Sequence, residues 1–160
     1  MMQPKIIEGN RFTVIGMDCL TTTEDNENHQ VLLDLWNEFT SRIEEVQNKK
    51  NPTKMVGVYE QRRNYPNRFS YVAGVEVKSL SEIPKGMIPK IVNGSKYAVF
   101  NHQGDICNID ETYNYIYEEW LPESEYEKNV NGDNLEIFNL EFSEDNISDV
   151  DLYIAIKDQE

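Results

Sequence analysis

Glu136 lies in the stretch "NLEIFNLEF" (134–142), where strand geometry would put it in line with Phe138, Leu140 and Phe142. Leu135, Ile137, Asn139 and Glu141 then share the opposite face. A buried, ionised and unpaired carboxylate costs several kcal/mol, so it takes up a proton or finds a partner. Burial itself raises its pKa. Four chemistries are open to such a group. It reaches water at a sheet edge, bonds a backbone amide, serves as counter-ion to a cationic guest, or acts as general base or nucleophile on a reactive electrophile. Period-two counting finds no Lys or Arg at nearby inward positions. A cationic guest would gain cation–π attraction from aromatic walls, about 0.5–2 kcal/mol for each well-placed ring.

The candidate walls are aromatic residues predicted to surround that face. Trp36 and Trp120 fall at matching places on two predicted helices, and the Trp36 face also carries Leu32 and Phe39. Tyr59 and Phe138 share the Glu136 face by parity. Tyr71 and Tyr153 lie on the last strands of the two halves and are placed to close the site. Each of these divides between core and pocket. In an enzyme the catalytic candidates would be Glu136, with Tyr153 or a tryptophan assisting.

Other chemistry finds little support. His29 and His102 are isolated from metal-spaced partners and read as surface or cap residues. Cys19 and Cys107 form no CxxC or Cys/His spacing, which argues against a zinc site or disulfide framework. "NGD" (131–133) is a turn signal, and "SEDNISD" (143–149) reads as a solvated hairpin loop. No phosphate loop, nucleophile elbow or kinase motif is present, and no metal or cofactor is implied.

The elements that must position these residues recur. The chain has 160 residues, 39% hydrophobic and 11% aromatic, which suits one domain over residues 1–160 built from two small halves. "RFTVIGMDCL" (11–20) reads as a strand and 29–46 as a helix with Val31, Leu32, Leu35, Trp36, Phe39, Ile43 and Val46 on one stripe. Strands follow at 54–61 and 68–79. The connector "SEIPKGMIP" (81–89) separates halves at about 1–80 and 87–160. The order then repeats: a strand at 95–104, a helix at 108–121 with Asp110 as N-cap, and strands at 134–142 and 150–157.

The halves align by eye. Arg11 to Val14 matches Lys96 to Val99; Leu35, Trp36 and Phe39 match Ile116, Tyr117 and Trp120. Val58 and Tyr59 match Ile137 and Phe138, and Val75 and Val77 match Ile154 and Ile156, both at an offset of 79 positions. Glu136 then falls opposite Gly57. The pattern predicts an internal duplication, in an α+β fold of tandem strand-helix-strand-strand repeats with pseudo-twofold symmetry. Its antiparallel sheet would carry two main helices, with a ligand cleft between the halves.

The charge of −14, from 29 acidic and 15 basic residues, opposes direct binding to nucleic acid. It suits a solvated acidic surface or a cationic partner. "MMQPKIIEGN" lacks the pattern of a secretory signal, and no apolar run is long enough to span a bilayer, so the expected compartment is the cytoplasm.

"SEIPKGMIPKIVNGSKYAVFNHQGD", "TYNYIYEEWLPESEYE" and "NLEIF" resemble the GyrI-like effector-binding domain, the ligand-binding part of some AraC- and MerR-type multidrug regulators. The resemblance runs in order over roughly residues 3–157. It implies two strand-helix-strand-strand repeats and an aromatic cleft for bulky lipophilic cations, with one acidic strand residue as counter-ion. Glu136 matches that residue. The family's Glu-x-Tyr pattern is Glu-x-Phe here, so Phe138 lacks a hydroxyl; Tyr153 matches the tyrosine near the end of the last strand. With the first strand close to Met1 and no helix-turn-helix before it, the resemblance implies a stand-alone binder of small molecules. Alternatives within the family are a hydrolase of strained electrophiles and a module that presses on a protein partner, gyrase or a transcription regulator.

Overall fold

The computed structural model describes residues 2–22, 27–61, 68–105, 108–140 and 147–159. The strands are β1 (Lys5–Glu8), β2 (Phe12–Thr22), β3 (Lys54–Gln61), β4 (Arg68–Val77), β5 (Ile88–Val92), β6 (Lys96–Asp105), β7 (Tyr126–Lys128), β8 (Asn134–Asn139) and β9 (Ile147–Asp158). Helix α1 spans Glu27–Ser41, and a short 3-10 turn follows at Ile43–Glu45. The second helix runs as α2 (Ile109–Tyr115), a π-helical stretch (Ile116–Trp120) and α3 (Leu121–Glu123). No helix among the described residues is long and apolar enough to cross a membrane.

All the strands join one antiparallel sheet in the order β1-β6-β9-β8-β3-β4-β2-β5, with β7 paired to β9. Exchanging the repeat mates β1 with β5, β2 with β6, β3 with β8 and β4 with β9 reverses this order and leaves it unchanged. The duplicated α+β fold is therefore present, with its pseudo-twofold axis between β3 and β8. The halves also swap their leading strands: β1 pairs with β6 of the second half, and β5 with β2 of the first. Even the isolated bridge Lys49–Val77 has its mate, 79 positions on, in the β7–β9 pair Lys128–Ile156.

The sheet has two buried faces. On one, α1 packs over β2 and β4, and α2 over β6. Ile15, Leu35, Phe39, Ala73 and Val75 fill the first half of that layer, and Phe100, Ile116, Leu152 and Ile154 the second. The other face has no helix. Val14, Val58, Val72, Val92, Tyr97, Leu135 and Ala155 bury one another there. Chain connectivity explains how. β5 and β6 sit near opposite ends of the strand order yet are joined by residues 93–95, which can span only about 3.5 Å each. The sheet must roll until its ends meet, and Val92 of β5 is buried in one cluster with Tyr97 of β6 and Ala155 of β9.

Several sequence expectations change. The register pairs Thr13 with Val77 and Lys96 with Ile156, the mate of Val77. Thr13 is thus the equivalent of Lys96, two residues from the match of Arg11 to Lys96. A slip of two preserves facing, which is why hydrophobic patterning did not resist it. Strand β5 begins inside the expected connector, with Pro89 tolerated on an edge strand. Asn108, not Asp110, occupies the N-cap of α2. Strand β8 ends at Asn139; Leu140 is 38% exposed and bonds the Thr53 carbonyl, while Glu141 and Phe142 lie outside the described residues. The loop expected at 143–149 falls largely outside them, as do Cys107 and the side chain of His29.

His102 is not a surface residue. It is 5% exposed and lies between two partners, with Nδ1 2.8 Å from Thr112 Oγ1 and Nε2 3.1 Å from the Asp105 carbonyl. The carbonyl only accepts, so Nε2–H donates to it, while Nδ1 pairs with the Thr112 hydroxyl. The ring ties the end of β6 to the first turns of α2.

Candidate functional site

The central ladder pairs Gly57 of β3 directly with Glu136 of β8. Because these two are repeat mates, the pseudo-axis passes through this pair. One half puts a carboxylate on the axis and the other puts nothing there. Directly opposed side chains lie about 5 Å apart, so a second carboxylate in place of Gly57 would repel the first.

Glu136 is 5% exposed. Its oxygens accept from three tyrosine hydroxyls: Tyr71 to Oε1 at 3.1 Å, and Tyr59 and Tyr113 to Oε2 at 3.1 and 2.6 Å. Among the described residues no cation pairs with it. Burial raises its pKa above the ordinary carboxyl value, the three donors pull it down, and Asp110 pushes it up again. Burial, with the negative charge of Glu136 beside it, holds each of the three phenols far above the usual tyrosine range, so they act as donors. Neither water at a sheet edge nor a backbone amide is the partner the structure shows for this group: three neutral hydroxyls are, and they bring no positive charge to it.

The rest of the surroundings is aromatic. Trp36 on α1 donates its indole N–H to the Tyr71 hydroxyl at 2.9 Å. Its ring meets Phe138 edge-on at 5.1 Å, and Phe39 and Tyr71 at 6.2 Å each. Tyr59 meets Tyr71 at 4.7 Å and Phe69 at 5.2 Å. On α2, Tyr113 stacks on Tyr117 at 6.4 Å. Tyr71 is fully buried, whereas Trp36, Tyr59, Tyr113, Tyr117 and Phe138 are half-buried. The carboxylate is thus buried among rings that keep partial exposure, with Trp36 supplied by α1 and Tyr113 by α2.

The structure brings together Glu136, Trp36, Tyr59, Tyr71 and Phe138. It places two expected residues elsewhere. Tyr153 pairs with Leu135 and Val99, whose side chains point to the helix-free face, and meets Tyr97 there at 5.4 Å. Trp120 packs on Phe100 at 5.1 Å and on Tyr126 at 6.4 Å, filling the second core as its mate Phe39 fills the first. The true counterpart of Trp36 is Tyr117, whose hydroxyl accepts from Asn134 Nδ2 at 3.1 Å. Tyr113, the shortest contact to Glu136, was missed. Its signal was present: it stands three residues before Ile116 and four before Tyr117, on the inward stripe of α2.

Comparison with known proteins matches residues 5–156 to the family model Cass2, integron-associated effector binding protein. A relative, the transcriptional regulator BrlR of Pseudomonas aeruginosa, is 34% identical over 157 residues, which is 97% of this chain and 56% of the regulator. The chain therefore spans about half the length of that relative. Among solved structures, the integron cassette protein VCH_CASS2 of Vibrio cholerae superposes with a TM-score of 0.70 at 21% identity, covering 98% of this chain and 97% of that one. SAV2435, solved bound to tetraphenylphosphonium, superposes with a TM-score of 0.73 at 17% identity, covering 98% and 94%. Superposition over 98% of this chain shows that the fold is shared with both, and the family match extends from β1 into β9. The chain belongs to the Cass2 family of integron-associated effector binding proteins, in line with its resemblance to the GyrI-like effector-binding domain.

Proposed function

We propose that this protein binds a bulky lipophilic cation between α1 and α2, over the β3–β8 pair, with Glu136 as its counter-ion. The observation that carries this reading is a buried carboxylate held by three neutral donors among half-buried aromatic rings. The hydroxyls oppose the upward shift that burial imposes on the carboxyl and favour its ionised form, without cancelling its charge. A guest's positive charge then supplies what the described protein does not. Ring faces add cation–π attraction of about 0.5–2 kcal/mol each and select for flat, apolar bulk. The tetraphenylphosphonium in SAV2435 is a guest of this chemical class. On this reading the protein senses or sequesters the compound, while its charge of −14 keeps it from gripping a phosphate backbone itself.

The test is a pair of titrations followed by thermal unfolding and tryptophan fluorescence. One uses tetraphenylphosphonium, the other triphenylphosphine oxide, which is similar in bulk but neutral. The cation should stabilise the fold by about 2.7 kcal/mol at a hundred times its Kd, and the neutral compound much less. Equal stabilisation by both would remove the electrostatic part of the proposal.

A further inference from the structure

We propose that Gly57 is a positioning residue for the site: the space left by its missing side chain is where the Tyr71 hydroxyl crosses β3 to reach Glu136. This rests on the reading of Glu136 as a counter-ion and adds the device that sets its hydrogen bonding. Gly57 is not required for backbone freedom, because the described glycines with positive φ are Gly86 and Gly104. It is required for room. A Cβ added at Gly57 would fall on the Tyr71 hydroxyl, with ring carbons Cζ and Cε2 at 2.7 and 3.1 Å. The three nearest atoms all belong to Tyr71, so one side chain, and not the neighbouring backbone, is what a methyl displaces.

The repeat makes the arrangement legible. Gly57 is the mate of Glu136, and Tyr71 is the mate of Val150. Where the axial position is empty, a long tyrosine crosses it; where the axial position holds a carboxylate, a short valine stays clear. The crossing hydroxyl also accepts from the Trp36 indole, so one relay runs from α1 through the gap to β8. Among the described residues, the titratable groups facing Glu136 are Tyr59 from β3, Tyr71 from β4, and Tyr113 and Asp110 from α2. Strands β9 and β6 present Leu152 and Phe100 in the same row, and α1 presents the uncharged Trp36.

The test needs no ligand in its first arm. In a Trp120→Phe background, Trp36 becomes the sole tryptophan of the two in the chain, and its fluorescence is followed against pH. The Glu136 carboxyl gives the midpoint. Gly57→Ala should raise that midpoint by about one pH unit, as Tyr71→Phe should, because each removes one donor to the carboxylate. Below the parent midpoint, tetraphenylphosphonium affinity at a given pH should fall about tenfold in both, and recover well above the shifted midpoint. In a Tyr71→Val background, adding Gly57→Ala should change neither reading by more than about twofold, since the obstructed side chain is gone.

A folded Gly57→Ala protein with an unchanged midpoint overturns the inference. So does a Gly57→Ala effect that persists in full beside Tyr71→Val. Should Gly57→Ala alone fail to fold, the double variant decides: folding like Tyr71→Val supports the role, and failure to fold overturns it. If the midpoints move as expected while the parent protein binds no cation at any pH, the counter-ion reading fails and the positioning role of Gly57 stands.

Discussion

Tyr113→Phe removes the shortest of the three donors to Glu136, at 2.6 Å, and nothing else from the aromatic surroundings. Its cost should depend on pH, and the sign follows from the direction of the Glu136 shift. Burial raises the folded-state pKa of this carboxyl above its unfolded value. Its contribution to stability is therefore fully present at low pH and is lost as pH rises through the folded pKa. The tyrosine donors limit that loss, because a hydrogen bond to a charged acceptor is worth about 1.5–3 kcal/mol against about 1 for a neutral one. Removing Tyr113 raises the folded pKa further and lets the loss continue to higher pH. The variant should cost about 1 kcal/mol near pH 4 and about 2–3 kcal/mol near pH 8. Urea unfolding of parent and variant at the two pH values, followed by far-UV circular dichroism, measures this directly. Equal cost at both would refute the argument, since it would mean that Tyr113 donates to a group that stays neutral.

Three further outcomes follow from the geometry. Trp36→Leu should weaken tetraphenylphosphonium binding about tenfold, one good cation–π contact, in a fluorescence-independent assay such as calorimetry. Tyr153→Phe should leave that affinity within about twofold, because its ring lies on the helix-free face; a large loss would place the ligand on the wrong side of the sheet. His102→Ala should cost about 1–3 kcal/mol of stability in urea unfolding by leaving Thr112 and the Asp105 carbonyl without their buried partner.

Much of this site was legible in the residues, and where it was not, the reasons differ. Period two put Glu136 and Phe138 on one face, because side-chain direction within a strand does not depend on its partners, and the repeat added Tyr59 as the mate of Phe138. The duplication located the axis, since the 79-residue offset and the β3–β8 register meet at Gly57 and Glu136. Tyr153 was misplaced although the repeat excluded it. Its mate is Gly74, which differs in parity from Tyr71, so the two tyrosines cannot share a face. Tyr113 was missed because a tyrosine on an inward helical stripe looks like any core aromatic until the strand beneath it is known. Strands β1, β5 and β7 were missed because each has at most five residues, too few for a period to emerge. The hydroxyl cage was beyond reach for a different reason. Three donors from β3, β4 and α2 converge only after sheet register and helix placement are both fixed.

The most direct test of the central claim is the affinity for tetraphenylphosphonium from pH 4 to pH 8, measured by calorimetry on the parent protein and on Glu136→Gln. If the carboxylate charge holds the guest, parent affinity rises with pH and levels off above the Glu136 pKa. The glutamine protein should bind about 100-fold more weakly at the plateau, the worth of one charge pair about 6 Å apart at an effective dielectric near 20, with no dependence on pH. Two parallel curves of similar height would show that the charge of Glu136 plays no part in binding.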